Sequence, residues 1–327
     1  RLEIMRDSRL GSYGAGALIL LLLLSWSALA ALFAAGQTWL PLLAAAVATV
    51  PLTASAATSF VNGGITSVLP GNGALASIGL EIAGVAGRMM FDTGTPDAVF
   101  LNRDGVPLDA GVFLAEGRAA SGQRIEVRQH EAPPVVIDGR DYATGRAIRS
   151  GNFGFAEELL GPDFLGFVGA PAVEGEAFLL DYDRRLLTVL RTDAQGGIPR
   201  VPFFENDVLA RIAVTPGDGG LPMAVAAIAG RQIAVDFDTG DGGMLYLRAG
   251  TIDDLRSANA LTTDRDRAHL AEVSLGGVAF PDLTVRLVEA GGPQDARSET
   301  DADLLRIGAG FLSTYPTLWN LPAGWIE

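Results

Sequence analysis

The sequence predicts an all-β protein of two related lobes, a double β-barrel with pseudo-twofold symmetry, preceded by an N-terminal hydrophobic helix. Four observations carry that prediction. Phe91-Asp92-Thr93-Gly94-Thr95 returns as Phe237-Asp238-Thr239-Gly240-Asp241. The surroundings return with it: an aromatic-Leu pair stands eight residues after each Asp (Phe100-Leu101 and Tyr246-Leu247), and Ala86-Gly87-Arg88 before the first loop is echoed by Ala229-Gly230-Arg231 before the second, with three extra residues there. Further on, Leu160-Gly161-Pro162-Asp163-Phe164-Leu165 is echoed by Ile307-Gly308-Ala309-Gly310-Phe311-Leu312, 69 positions after Asp92 and 70 after Asp238 when counted to the first Gly of each. Finally, 41 Gly and 17 Pro in 327 residues suit many short strands joined by tight turns.

The chain opens with Arg1, Arg6 and Arg9, followed by an uncharged run over 15–35 and a second apolar run over 39–52, with Ala54-Ser55-Ala56 close behind. A basic start, an apolar segment and a small-x-small site read as a secretory signal, while the apolar length is enough for a membrane span. Residues 1–56 are therefore expected to be a signal or membrane-anchor segment. Basic residues before the first run would keep that end in the cytoplasm. One span places the rest in the periplasm or outside the cell, and two return it to the cytoplasm.

Residues 57–74 read as a linker or edge strand, 75–195 as the first lobe and 196–327 as the second. In the first lobe, strands over 80–91 lead into the Asp92 loop and 99–101 leave it. The stretch 119–128 reads as a hairpin around Ser121-Gly122-Gln123, and 135–142 as another turning at Asp138-Gly139. A short helix is expected over 155–160, and a hairpin over 178–190 closes the lobe. The second lobe repeats the order: strands over 210–214 and 224–237, a helix beginning near Thr251 with acidic residues in its first turn, a hairpin at Gly276-Gly277, and a short helix over 301–305 before Gly308. Trp319 and Trp325 suggest a last strand packed under both lobes.

Composition narrows the function. A formal net charge of −14 argues against nucleic-acid binding, which needs a basic surface. With no Cys there is no disulfide framework, thiolate metal site or cysteine nucleophile. Only His130 and His269 are present, which leaves too few ligands for a multi-histidine metal site; both read as surface residues. No metal or cofactor is expected.

At the two Asp-Thr-Gly loops the sequence resembles the pepsin- and retropepsin-like aspartic proteases, as a bacterial member with both lobes in one chain. The resemblance spans roughly 75–327. It implies a peptide-cleaving enzyme, a monomer acting on peptide or protein substrates, with Asp92 and Asp238 as catalytic carboxylates. Thr93, Gly94, Thr95, Thr239, Gly240 and Asp241 would support that pair, the two threonines cross-linking the loops. Ser121, Gly122 and Gln123 would form the tip of a flap over bound substrate. The hydrophobic-hydrophobic-Gly element of each lobe would be Leu159-Leu160-Gly161 and, less cleanly, Arg306-Ile307-Gly308. The chain departs from the pattern at Asp241, where the family carries Ser, Thr or Ala, and in lacking a flap Tyr. A carboxylate there would repel charge on Asp238 and move the activity profile toward neutral pH. Asp236 adds a further acid on the same side of its strand, facing either the site or solvent. Two alternatives stand beside the enzyme: a two-lobed protein that binds peptides without cutting them, and a structural β-protein whose Asp-Thr-Gly triplets are only turns.

Overall fold

The computed structural model describes residues 66–68, 75–119, 123–137, 140–141, 147–198, 207–217, 220–249, 252–264, 267–288 and 303–327. The chain divides into two compact units, Arg1–Ser59 and Phe60–Glu327, and every described residue lies in the second. The expected signal or anchor segment over 1–56, the turns at Asp138-Gly139 and the flap residues Ser121 and Gly122 lie outside the described residues. Among those described, no helix is long and apolar enough to cross a membrane.

The first lobe runs β1 (Thr66–Val68), β2 (Ser77–Ile82), β3 (Val85–Phe91), β4 (Val99–Asn102), β5 (Val112–Arg118), β6 (Arg124–His130), β7 (Val135–Ile137), β8 (Arg140–Asp141), β9 (Ile148–Gly151), α1 (Glu157–Leu160), β10 (Phe164–Val168), β11 (Ala177–Asp181) and β12 (Leu186–Leu190). The second follows with β13 (Ile212–Ala213), β14 (Thr215–Pro216), β15 (Pro222–Ile228), β16 (Arg231–Asp238), β17 (Leu245–Ala249), α2 (Ile252–Ser257), β18 (Leu261–Asp264), β19 (Arg267–Leu275), β20 (Val278–Leu287), β21 (Asp303–Gly308), α3 (Ala309–Leu312), β22 (Thr317–Asn320) and β23 (Trp325–Ile326).

Each lobe owns a sheet. The first has the order β5-β6-β9-β4-β10-β3-β2-β7-β8, and the second β14-β15-β16-β21-β17-β20-β19-β18, closed on itself by a further β15–β19 pairing. A third sheet, β1-β12-β11-β22-β23-β13, is built from both lobes. The all-β, two-lobed prediction therefore holds. At the heart of each lobe the arrangement is the same: a parallel strand (β10 or β21) lies between the strand entering the Asp loop (β3 or β16) and the strand leaving it (β4 or β17).

That register corrects two sequence-level pairings. The hairpin turns before the loops are Ala83-Gly84 and Ala229-Gly230, with φ of 49° and 80° in the first and 50° and 79° in the second. Positive φ at both central residues is the geometry that matches strand twist in a two-residue hairpin. The true repeat is thus Ile82-Ala83-Gly84 and Ile228-Ala229-Gly230, each Ala nine residues before its Asp, and the three-residue offset disappears. Likewise Val168 pairs with Phe91 as Ile307 pairs with Phe237, so the partner of Gly308 is Gly169, not Gly161. The matching triplets are Val168-Gly169-Ala170 and Ile307-Gly308-Ala309.

The helix expected over 301–305 is also overturned. From Asp303 the chain is strand β21, hydrogen-bonded on one side to β16 and on the other to β17, and the helical turn α3 comes after Gly308. Burial of Leu304, Leu305 and Ile307 in the second-lobe sheet decides for a strand.

Beneath the two loops the core is continuous. Phe91 meets Phe178 edge-on at 5.2 Å, Phe178 stacks on Trp319 at 5.4 Å, and Trp319 meets Phe237 edge-on at 5.7 Å. Phe178 and Trp319 are cross-strand partners in the shared sheet, so one aromatic chain connects the residues preceding Asp92 and Asp238.

Candidate active site

Each Asp-Thr-Gly loop leaves its strand in a tight turn closed by a backbone bond three residues on, from Thr95 N–H to Asp92 carbonyl at 3.2 Å and from Asp241 N–H to Asp238 carbonyl at 3.2 Å. Within each loop the glycine N–H donates to its own carboxylate, Gly94 to Asp92 Oδ1 at 2.8 Å and Gly240 to Asp238 Oδ1 at 3.0 Å.

The two loops interlock through the threonines. Thr93 N–H donates to Thr239 Oγ1 at 3.0 Å, and Thr239 N–H to Thr93 Oγ1 at 3.1 Å. The hydroxyls pass their own protons onward, Thr93 to the Phe237 carbonyl at 2.9 Å and Thr239 to the Phe91 carbonyl at 2.8 Å. All four bonds are buried and join residues some 146 positions apart in the chain.

This cross-link places each carboxylate against the opposite loop. A Cβ at Gly94 would stand 2.5 Å from Asp238 Oδ1, and one at Gly240 would stand 2.4 Å from Asp92 Cγ. Only glycine leaves room for that approach. Behind the loops the pattern repeats: a Cβ at Gly169 would lie 2.2 Å from the Asp97 carbonyl oxygen and 2.7 Å from that of Thr95, while one at Gly308 would lie 2.3 Å and 2.9 Å from those of Gly243 and Asp241.

Two loops, one from each lobe, thus present a pair of carboxylates in one place, over a fold in which the same strands recur. The solved structures that match include the aspartic proteinase from Irpex lacteus, with a TM-score of 0.52 over 80% of this chain and 96% of that one, at 10% sequence identity. The fold is pepsin-like. At that identity the likeness is one of fold alone. A family model described as cobalamin-5-phosphate synthase matches residues 1–84, a stretch that ends before either Asp-Thr-Gly loop. Curated proteins give no match.

Around the two carboxylates the remaining site residues fall as follows. Thr95 is buried, and Asp241, its counterpart, is half-buried with Oδ1 accepting from Gly243 N–H at 2.9 Å. Tyr246 also hydrogen-bonds Asp241; burial, and then the charge of Asp241, raise the Tyr246 phenol above its ordinary value, against a smaller opposing pull from Arg286. Asp241 is therefore not a bare solvent-facing charge. Gln123 is exposed at the end of the β5–β6 hairpin, where its carbonyl accepts from Ala119 N–H at 2.8 Å.

Sequence reasoning missed one group beside the pair. Asp236, left between site and solvent, is buried, and its partner Arg306 on the neighbouring strand is partly buried. Arg306 Nε donates to Asp236 Oδ2 at 3.0 Å, its Nη2 reaches the same oxygen, and its Nη1 lies 3.5 Å from Asp238 Oδ2. Burial works against the guanidinium charge, but hydrogen bonding to Asp236 and the charges of Asp236, Asp238 and Asp241 prevail and raise its proton affinity. The signal was present: Arg306 stands where the resemblance calls for a hydrophobic residue.

One histidine also differs from expectation. His130 is buried, with Nδ1 2.7 Å from Asp109 Oδ1 and Nε2 2.7 Å from Ser150 Oγ. Ser150 is 0% exposed, so this Asp-His-Ser row has no hydroxyl open to a substrate; it ties the base of the β5–β6 hairpin to β9. His269 is partly exposed, 3.4 Å from Asp282.

Proposed function

We propose that this chain is an aspartic endopeptidase in which Asp92 and Asp238 activate a water for attack on a peptide carbonyl. The observation that supports it best is the reciprocal threonine cross-link, which sets each carboxylate against the glycine of the other loop. Like charges so placed do not both ionise cheaply, and the pair holds one proton over a wide pH range. The ionised member takes a proton from the water while the protonated member donates to the carbonyl oxygen. The apparent acidities then belong to the pair. Substrate would lie extended beneath the β5–β6 hairpin, with Ser121, Gly122 and Gln123 at its tip. The rest of the mechanism asks nothing of a metal or cofactor.

The test is hydrolysis of an unfolded protein or a mixed peptide library by the purified chain across pH. Asp92→Asn and Asp238→Asn are each expected to lower cleavage at least about a hundredfold, the range that positioned acid–base groups supply, with an unchanged circular dichroism spectrum. A second reading, peptide binding without cleavage, draws on Asp241 in place of the usual hydroxyl or methyl residue. It would show as saturable binding of a labelled peptide with no hydrolysis by the wild type at any pH.

A further inference from the structure

Besides Thr95 and Asp241, the two lobes differ at a further pair of equivalent positions beside the carboxylates. In the first lobe Met90, two residues before Asp92, is the cross-strand neighbour of Phe167. In the second lobe the same register sets Asp236 against Arg306. Phe167 sits in an aromatic cluster, its ring 5.0 Å from Phe153 and 5.2 Å from Phe164. The fold thus accepts an apolar pair at this place. A buried ion pair is seldom better for stability than a well-packed apolar one, so stability alone gives no reason for the charged version in only one lobe.

Its geometry gives another. Asp236 engages Nε and Nη2 of Arg306, which fixes the plane of the guanidinium and turns Nη1 toward Asp238. The side chains of Asp236, Arg306 and Asp238 are 7%, 14% and 4% exposed, so water screens them little. Met90 and Phe167, which hold the equivalent places in the first lobe, carry no charge. We propose that Arg306 is a positioning residue that holds the negative charge of the carboxylate pair on Asp238 and leaves the shared proton on Asp92. Asp238 then acts as the base toward water and Asp92 as the acid toward the carbonyl, an assignment that rests on the proposed protease reading.

The other charged and titratable groups around Arg306 are accounted for as follows. Asp236, on β16, is matched by the two nitrogens it binds. Asp241, in the loop after β16, opposes charge on Asp238 but is held by Gly243 N–H and by Tyr246 on β17. Arg286, on β20, is the cross-strand neighbour of Tyr246 on the side away from Arg306 and bonds its hydroxyl. Asp92 faces from the opposite lobe. Of these, the Nη1 of Arg306 is the cation within 3.5 Å of Asp238.

The decisive variant copies the first lobe onto the second: Asp236→Met with Arg306→Phe, which removes both charges and leaves neither buried alone. The carboxyl carbons of 13C-aspartate-labelled protein are followed by NMR through a pH titration, with Asp92→Asn and Asp238→Asn providing assignment. In the wild type the Asp238 signal should change at lower pH than that of Asp92. In the double variant the gap should close, and the acid limb of peptide hydrolysis should move up by about one pH unit, the low end of what a close opposite charge supplies. Equal or reversed order in the wild type overturns the proposal, as do superimposable activity profiles for wild type and variant. Should the double variant not fold, the wild-type order and that of Arg306→Lys, which keeps the charge, still decide it. A wild type that hydrolyses nothing at any pH defeats the protease reading, whereas the NMR order tests the charge assignment by itself.

Discussion

At the scale of single residues, the centre depends on hydroxyls that do two jobs at once. Thr239 Oγ1 accepts from Thr93 N–H and donates to the Phe91 carbonyl, both buried. Thr239→Ala would leave both without that partner, at about 1–3 kcal/mol for each buried group left unsatisfied. The denaturant midpoint is expected to fall accordingly with an unchanged slope, and Thr239→Ser, which keeps the hydroxyl, should recover most of the loss. Equal midpoints for the Ala and Ser variants would mean that the cross-link adds nothing. The charged residues at this scale were only half legible. Asp241 and Asp236 stood out in the sequence as extra acids, but the cation that faces them is 70 positions from Asp236 and meets it only across the β16–β21 ladder.

At the scale of elements, the Asp loops work because a glycine of a third strand backs each of them. Gly169→Ala would place a methyl 2.2 Å from the Asp97 carbonyl oxygen, a backbone atom that cannot swing aside. Overpacking of that kind costs about 1–3 kcal/mol, and the shift of the Asp92 loop should cut hydrolysis more than stability. Gly79→Ala, on β2 with nothing within 4 Å of the added atom, should leave both thermal midpoint and activity near wild type. Losses of the same size at both positions would argue against a loop-backing role for Gly169. The repeat behind this arrangement was in the sequence, as Val168-Gly169-Ala170 against Ile307-Gly308-Ala309. Leu160-Gly161 drew attention instead because its distance from Asp92 was closer to that in the second lobe. Spacing misled here because α1 and a turn precede the parallel strand of the first lobe, so Gly169 stands 77 positions after Asp92, against 70 from Asp238 to Gly308.

At the scale of the whole molecule, the lobes are joined by the shared sheet and by the aromatic chain Phe91, Phe178, Trp319 and Phe237 beneath the carboxylates. Trp319 is fully buried and its indole N–H donates to Thr317 Oγ1 at 2.8 Å. Trp319→Ala should cost about 3–5 kcal/mol, as large-to-small changes of a buried ring do, read from equilibrium unfolding in urea. Because the ring touches Phe237 on the strand entering the second loop and Phe178, which packs on Phe91 of the strand entering the first, hydrolysis should fall further than the unfolded fraction explains. A loss of activity no greater than the loss of folded protein would count against that coupling.

The sequence by itself determined that two copies of one lobe exist, where their Asp-Thr-Gly loops lie and that the fold is β. Those features are written in local repetition, turn residues and alternation, which act over a few neighbours in the chain. Tertiary structure alone decided which glycine backs each loop, that residues from Asp303 form a strand, that His130 is buried between Asp109 and Ser150, and that Arg306 turns toward Asp238. Each of these depends on partners brought together by strand register across tens of residues. A one-residue change in that register would turn the same side chains to the other face of the sheet.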